Sequence, residues 1–350
     1  MEDAAQRLQL GSVSDYLRHL HQEAAKVDRP PTTRKVGRVA VEYTTPRGKI
    51  IRGDSLDYLA KAKAKSVDLI MTSPPFGLVH KKSYGNEDAD AYCEWFRPFA
   101  EGFHRVLKDS GSLVIEIGGA WKRGKPTRSL YHFELLDMLC REYGFHLCQE
   151  HYWWNPARLP TPAEWVNVRR IRVKDAVSCI WWLSKTAFPY ANNKAVLAPY
   201  SEAMLTLLKK GYKAKRRPSG HNISTKFSKN NGGAIPPNLL AIANNESKGY
   251  YSEYCRENKI EIHPARFPQE LPEYFIRFLT KPRGLVLDPF GGSCVTGAAA
   301  EALKRRWVCV EQKAEYIRGA KARFHKKATK ASRRRPTRYE IFGPGTSVAK

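Results

Sequence analysis

Apolar positions along the chain fall into two kinds of run, short continuous ones and longer ones with a three-to-four-residue period. Val67-Asp68-Leu69-Ile70-Met71 and Leu285-Val286-Leu287 are runs of strand length bounded by turn residues, the pattern of strands buried on both faces. Residues 92–107 read as a helix. Residues 130–143 show helical spacing through Leu130, Phe133, Leu136 and Leu139 and are ended by Gly144. Read in order, 35–44 and 49–52 are strand-like, 56–63 helical, 67–71 a strand, 92–107 a helix and 112–117 a strand. That rhythm is βαβα and predicts a parallel sheet. Two aromatic strands at 147–154 and 176–183 read as a pair closing a sheet edge. From 186 to 258 periodicity lapses and loop chemistry dominates. Order returns at 272–279, followed by a strand at 284–287, a glycine turn, an alanine-rich helix at 295–303 and a strand at 307–310.

Residues 1–35 are polar with a weak apolar period, and Pro30-Pro31 stops any helix before the first strand. The expected organisation is an arm (1–35), a first half of the main domain (36–185), an insertion (186–258), a second half (259–325) and a basic tail (326–350). Between Arg318 and Arg338 stand ten Lys or Arg and no acid, a run suited to holding a polyanion backbone without reading sequence.

Charge narrows the partner. The 350 residues carry 60 Lys and Arg against 34 Asp and Glu, a formal charge of +26, which attracts polyanions and repels basic partners. Nucleic acid leads. A membrane surface is the rival, but no long apolar segment exists, and Glu2 and Asp3 stand where a signal peptide is basic. The expectation is a cytoplasmic protein, or a nuclear one if the source has a nucleus. Seven cysteines, with no Cys-x-x-Cys and no paired His spacing, argue against a disulfide framework and against a metal site.

Three places carry candidate chemistry. Thr72-Ser73-Pro74-Pro75-Phe76 follows the strand at 67–71. Two prolines there cannot continue a ladder and form a stiff loop whose carbonyls are acceptors. With the Ser73 hydroxyl and the Phe76 ring, such a loop can hold an amino group on a planar ring; the bland alternative is a proline turn closing a core strand. Leu287-Asp288-Pro289-Phe290-Gly291-Gly292-Ser293 runs from a strand into a glycine turn and a helix, the shape of a cofactor-binding first loop. Glu311 ends the next strand 23 residues after Asp288, near the spacing of about 20 at which an acid reaches ribose hydroxyls. A P-loop is excluded, since no Gly-Lys-Ser/Thr follows the turn. Few residues remain after Glu311, so the other strands of that sheet must lie upstream, one of them ending at Gly53-Asp54 with the strand ending at Ser73 beside it. The nucleotide-binding sheet reads as circularly permuted.

These motifs, with His263-Pro264-Ala265-Arg266-Phe267-Pro268 and Val310-Glu311-Gln312, resemble the permuted (beta-class) amino-methyltransferases of DNA. Serine at the head of Ser73-Pro74-Pro75-Phe76 resembles the cytosine-N4 branch. The likeness covers about residues 48–325; Cys294-Val295 stands where the wider family carries Gly-Thr.

The resemblance implies a Rossmann-like α/β fold binding S-adenosylmethionine and methylating the N4 amine of a cytosine flipped from duplex DNA, at a palindrome of the CAGCTG kind, as in restriction–modification systems. Ser73, Pro74, Pro75 and Phe76 would be catalytic. Asp54, Thr72, His263, Phe267, Asp288, Phe290, Gly292, Ser293, Glu311 and Gln312 would hold the cofactor. Lys213, Lys215, Arg216, Arg217, His221, Lys226 and Lys229, all in the insertion, would meet DNA. Simpler roles stay open: Asp54 and Asp288 as helix caps, Glu311 paired with Lys313, His263 as a structural histidine, and Trp153-Trp154 and Trp181-Trp182 as core. Adenine-N6 methylation and a catalytically silent DNA-binding module are the competing functions.

Overall fold

The computed structural model describes residues 35–78, 88–211 and 229–325. Apart from residue 35, the arm lies outside the described residues. So do the tail and Lys213, Lys215, Arg216, Arg217, His221 and Lys226.

Nine strands make one sheet. In chain order they are β1 (Ala40–Thr44), β2 (Gly48–Arg52), β3 (Val67–Thr72), β4 (Leu107–Ile117), β5 (His146–Trp154), β6 (Val177–Ser184), β7 (Leu239–Ala241), β8 (Leu285–Asp288) and β9 (Arg306–Glu311). In space they run β1-β2-β9-β8-β3-β4-β6-β5-β7. The block from β2 to β4 is parallel throughout, and β6 is antiparallel to both neighbours. The last two strands of the chain thus enter the sheet between its second and third, which is the permutation expected from the order of motifs.

Two expectations about neighbours need correction. The strand leading to Asp54 does not lie beside the strand leading to Ser73, because β9 and β8 separate them. Trp307 to Val310 and Val286 to Asp288 are buried without a break, whereas β2 exposes Arg52; the fully apolar strands take the centre and the partly polar one sits toward the edge. The β5–β6 pair does not close the sheet either. β7, from the stretch read as loop, adds in parallel outside β5 through Tyr152 and Leu239, with Leu240 fully buried. That stretch also contains α4 (Glu202–Lys210), whose first turn is capped by the Ser201 hydroxyl accepting from Met204 N, and α5 (Tyr250–Glu257). A three-residue strand and two short helices with few buried residues leave little periodicity to detect.

Helices cover both faces. On one, α1 (Ser55–Lys61), α2 (Tyr92–Val106) and α3 (Tyr131–Arg141) bring Leu59, Phe96, Phe103 and Leu135 onto Ile70, Leu113 and Ile115. On the other, α6 (Glu270–Leu279), α7 (Val295–Ala302) and α8 (Ala314–Ala320) bring Phe275, Ile276, Ala299 and Ile317 onto Leu69, Met71 and Val286. Alternation along β3 sends Ile70 one way and Leu69 and Met71 the other. α7 lies close to the sheet because its residues are small. A Cβ on Gly297 would stand 2.8 Å from the Trp307 ring and 2.9 Å from Cys309 Sγ. Among the described residues no helix is long and apolar enough to cross a membrane.

Candidate active site

In open parallel sheets ligands bind beyond the carboxyl ends of the strands, where the connections part to opposite faces. Here β2 leads to Asp54, β3 to Ser73, β8 to Pro289 and β9 to Glu311, while Glu116 lies one residue from the end of β4. All of these line one cavity of about 700 Å³. Of the residues expected to be catalytic or to hold a cofactor, every one lines it except Thr72. Thr72 is fully buried, its hydroxyl donating to Asp288 Oδ1 at 2.8 Å, so it braces a wall residue. Lys229 is exposed and does not line the cavity.

The half around the glycine turn is held by two carboxylates. Asp288 Oδ1 also accepts from Phe290 N (3.1 Å) and Oδ2 from the Thr296 hydroxyl (2.7 Å). Burial pushes its carboxyl up to about 6 despite these donors. Glu311 accepts from Gly292 N (2.9 Å) and Lys313 N (2.8 Å), fastening the end of β9 to the turn after β8; its carboxyl too is raised by burial. Gly292 sits at φ +50, and a Cβ there would stand 3.0 Å from His263 Nε2, so both backbone and space favour glycine. His263 Nδ1 pairs with Ala265 O at 2.6 Å. Burial lowers this imidazole to about 4, hence Nδ1 carries the proton and Nε2 faces the turn as an acceptor. Cys294, in the position of the family's glycine, keeps the left-handed conformation (φ 54, ψ 38), at a cost of roughly 1 kcal/mol. Asp54 does cap α1, accepting from Leu56 N at 2.8 Å, and lines the cavity as well; the Ser55 hydroxyl donates to Pro289 O and ties α1 to the turn.

The half around the prolines centres on one contact. Ser73 Oγ donates to Glu116 Oε2 at 2.6 Å. Glu116 is 3% exposed, and burial raises its pKa against the opposing pull of Ser73, Ser178 and Arg158. The Tyr92 hydroxyl donates to Pro75 O at 2.8 Å and stiffens the loop from behind. Phe76 lies over Gly118, where a Cβ would stand 2.6 Å from the ring. Phe290, across the cavity wall, packs on Trp95 and Phe99 with centroids 5.9 and 5.0 Å away. The cavity therefore joins a glycine turn rimmed by acids to a stiff acceptor loop beside an aromatic ring.

Comparison with known proteins agrees with this geometry. A family model described as DNA methylase matches residues 67–322. The chain belongs to that family. This methylase is 50% identical over 285 residues to the type II methyltransferase M.PvuII of Proteus hauseri, covering 81% of this chain and 85% of the relative. It is 26% identical over 276 residues to the DNA adenine methyltransferase YhdJ of Escherichia coli (strain K12), 77% and 80% covered. A solved structure of the PvuII DNA methyltransferase, described as cytosine-N4-specific, superposes with a TM-score of 0.68 at 43% identity, over 82% of this chain and 89% of that one.

Several cavity residues of the methylase escape a reading of its sequence: Glu116, Arg158, Ser178 and Asn244. Glu116 alone leaves a trace, as the single acid inside the apolar run 113–117. Trp153, Trp181 and Trp182 are buried as expected of core, although Trp153 also walls the cavity, its Nε1 donating to Ile242 O at 2.8 Å. Arg323, counted above with the basic run, is 9% exposed. It donates to Ser293 O (2.7 Å), Ser293 Oγ (3.2 Å) and Glu246 Oε2 (2.7 Å). That buried pair joins the insertion, the glycine turn and the end of the described chain. Among the described residues no group of His, Cys, Asp and Glu could hold a metal ion.

Proposed function

We propose that the methylase transfers a methyl group from S-adenosylmethionine to the exocyclic N4 amine of a cytosine flipped out of duplex DNA. The observation that carries this reading is the Ser73–Glu116 contact of 2.6 Å inside the cavity that also holds the glycine turn. Because the Ser73 proton is committed to Glu116, the hydroxyl lone pairs are left for an amine. One N4–H donates to Ser73 Oγ and the other to the Pro74 carbonyl, drawing nitrogen toward tetrahedral geometry and freeing a lone pair otherwise delocalised into the ring. When bound, S-adenosylmethionine supplies an electrophilic sulfonium methyl and departs as a neutral thioether. The proton shed by N4 passes to Ser73 Oγ as the hydroxyl's own proton moves to Glu116, whose raised affinity suits it to receive one.

Asp54, Glu311 and Gln312 hold the nucleoside end of the cofactor, and Asp288, Phe290, Gly292 and Ser293 with His263 and Phe267 the methionine end. Thr72 serves by bracing Asp288. A base in the stack cannot reach this cavity, so it is extruded at a cost of a few kcal/mol that stacking on Phe76 partly offsets. Phosphate contacts from a chain of charge +26 offset the rest, with Lys213, Lys215, Arg216, Arg217, His221, Lys226 and Lys229 in the insertion reading the site. We place that site in the class of CAGCTG palindromes and the protein in the cytoplasm at the nucleoid, with any cognate endonuclease sharing the sequence without a stable complex. Serine at position 73 and the likeness to a cytosine-N4-specific enzyme favour N4 over adenine N6.

The test is product chemistry. Duplex DNA incubated with methyl-labelled cofactor and digested to nucleosides is expected to yield labelled 4-methylcytosine. Label on adenine would move the reading to N6, and label on RNA alone, or none, would reject it.

A further inference from the structure

Between β5 and β6 the chain leaves the sheet at the end where the cavity opens, and Asn155, Arg158 and Ala176 of this connection line the cavity. Beside Arg158 stands Leu159, 75% exposed. A lone exposed leucine needs no explanation, but two features distinguish this one. Its backbone is fixed: Arg158 N donates to Asn155 O (3.1 Å), Lys174 Nζ to Arg158 O (3.1 Å) and Asn167 Nδ2 to Pro160 O (2.9 Å), while Pro160 sets the following φ. Its surroundings are cationic as well. Residues 155–176 carry Arg158, Arg169, Arg170, Arg172 and Lys174 against Glu164 and Asp175. Both acids are matched by arginines, Glu164 by Arg169 at 2.8 Å and Asp175 by Arg128 at 2.5 Å.

A flipped base leaves a gap in the stack, and an apolar side chain on a rigid support fills such a gap at the expense of little order. We propose that Leu159 is a positioning residue that enters the duplex beside the target and takes the place of the extruded base, while the cations of the β5–β6 connection hold the flanking phosphates. The inference rests on the function proposed above. Two more strongly exposed apolar residues lack the placement, and Val177, set between the wall residues Ala176 and Ser178, is only 49% exposed. Phe188, 91% exposed, follows β6 at the opposite end of the sheet, and Val173, 87% exposed, has no sequence neighbour in the cavity wall.

The experiment compares the wild-type protein with Leu159→Ala, Leu159→Met, Val173→Ala and Phe188→Ala on a duplex that the wild type methylates, fully paired or with the target base mismatched. Two readouts are taken, the single-turnover rate and the fluorescence rise of 2-aminopurine placed at the target position. Leu159→Ala should slow the paired duplex about tenfold or more and reduce the fluorescence rise. It should slow the mismatched duplex less than about twofold, because a mismatch has already given up its stacking. Leu159→Met should recover most of the rate, and the other two variants should match wild type. Equal slowing on both duplexes, no slowing on either, or the same pattern from Val173→Ala overturns the assignment. A wild type that methylates DNA without any fluorescence rise sinks the wedge and the base extrusion but leaves the methyl transfer; one that methylates no duplex removes the function itself.

Discussion

Ser73 follows the end of β3 and Glu116 lies on β4, 43 residues apart, and the 2.6 Å contact between them orients the one hydroxyl in the acceptor loop. Removing it should cost transition-state stabilisation and little else. Ser73→Ala is expected to lower kcat by about 10²–10³, as for loss of one preorganised polar contact, with duplex affinity within about twofold; a matching loss of affinity in a binding titration would contradict the role. Glu116 sets a pH dependence. Burial holds its pKa above the ordinary carboxylate value, and a Glu116 that is already protonated cannot take up the proton that Ser73 must pass on. At saturating cofactor and DNA, kcat should therefore fall as pH drops through that raised pKa, on a limb lying above the usual carboxylate range of about 4.3. For folding the sign is opposite: the native state binds this proton more tightly than the unfolded chain, so the group's contribution to stability declines as pH rises through the same window. Glu116→Gln should lower kcat and abolish the limb; a limb that survives unchanged would assign it elsewhere. Asp288, pushed up to about 6 by burial, should show instead in the pH dependence of the cofactor's KM. Ser73, Asp288 and Glu311 were legible because each ends an apolar run beside a turn. Glu116 was not, because only the pairing of β3 with β4 reveals what it touches.

The elements that sequence resolves are those with enough apolar length to show a period. β3, β8, β9 and the aromatic stripe of α2 satisfy that, and their expected positions hold. β7 has three residues, and its meaning depends on Trp153 and Trp154 almost ninety positions earlier. Charge misled in a similar way. Arg323 looks like part of a solvated basic run, yet it is folded against Ser293 and Glu246 with both side chains of the ion pair under 9% exposed. Breaking such a pair leaves an uncompensated buried charge, so Arg323→Met should cost about 3–5 kcal/mol in urea unfolding. Replacing both partners, Arg323→Met with Glu246→Leu, should cost less than the single change. The single variant should also raise the cofactor's KM through Ser293. Additive losses in the double variant would show that the two residues act independently.

At the scale of the molecule, the order of strands explains why two marks far apart in the chain face one cavity. β8 and β9, last in the chain, stand between β2 and β3, which sets the glycine turn and Glu311 between Asp54 on one side and the proline loop on the other. No local pattern contains this; it followed from the motifs arriving in the wrong order for an unpermuted sheet. The net charge of +26 supplies the field for a polyanion, and the cavity supplies the chemistry for one amine on it. The central claim is that this amine is the N4 of cytosine and that Ser73 receives it. Mass spectrometry of nucleosides from duplex DNA exposed in parallel to the wild-type protein and Ser73→Ala, each with S-adenosylmethionine, tests it directly. The account predicts 4-methylcytosine from the wild type and about a hundredth or less of that yield from the variant in the same time. N6-methyladenine as the wild-type product, or equal yields from the two proteins, would contradict it.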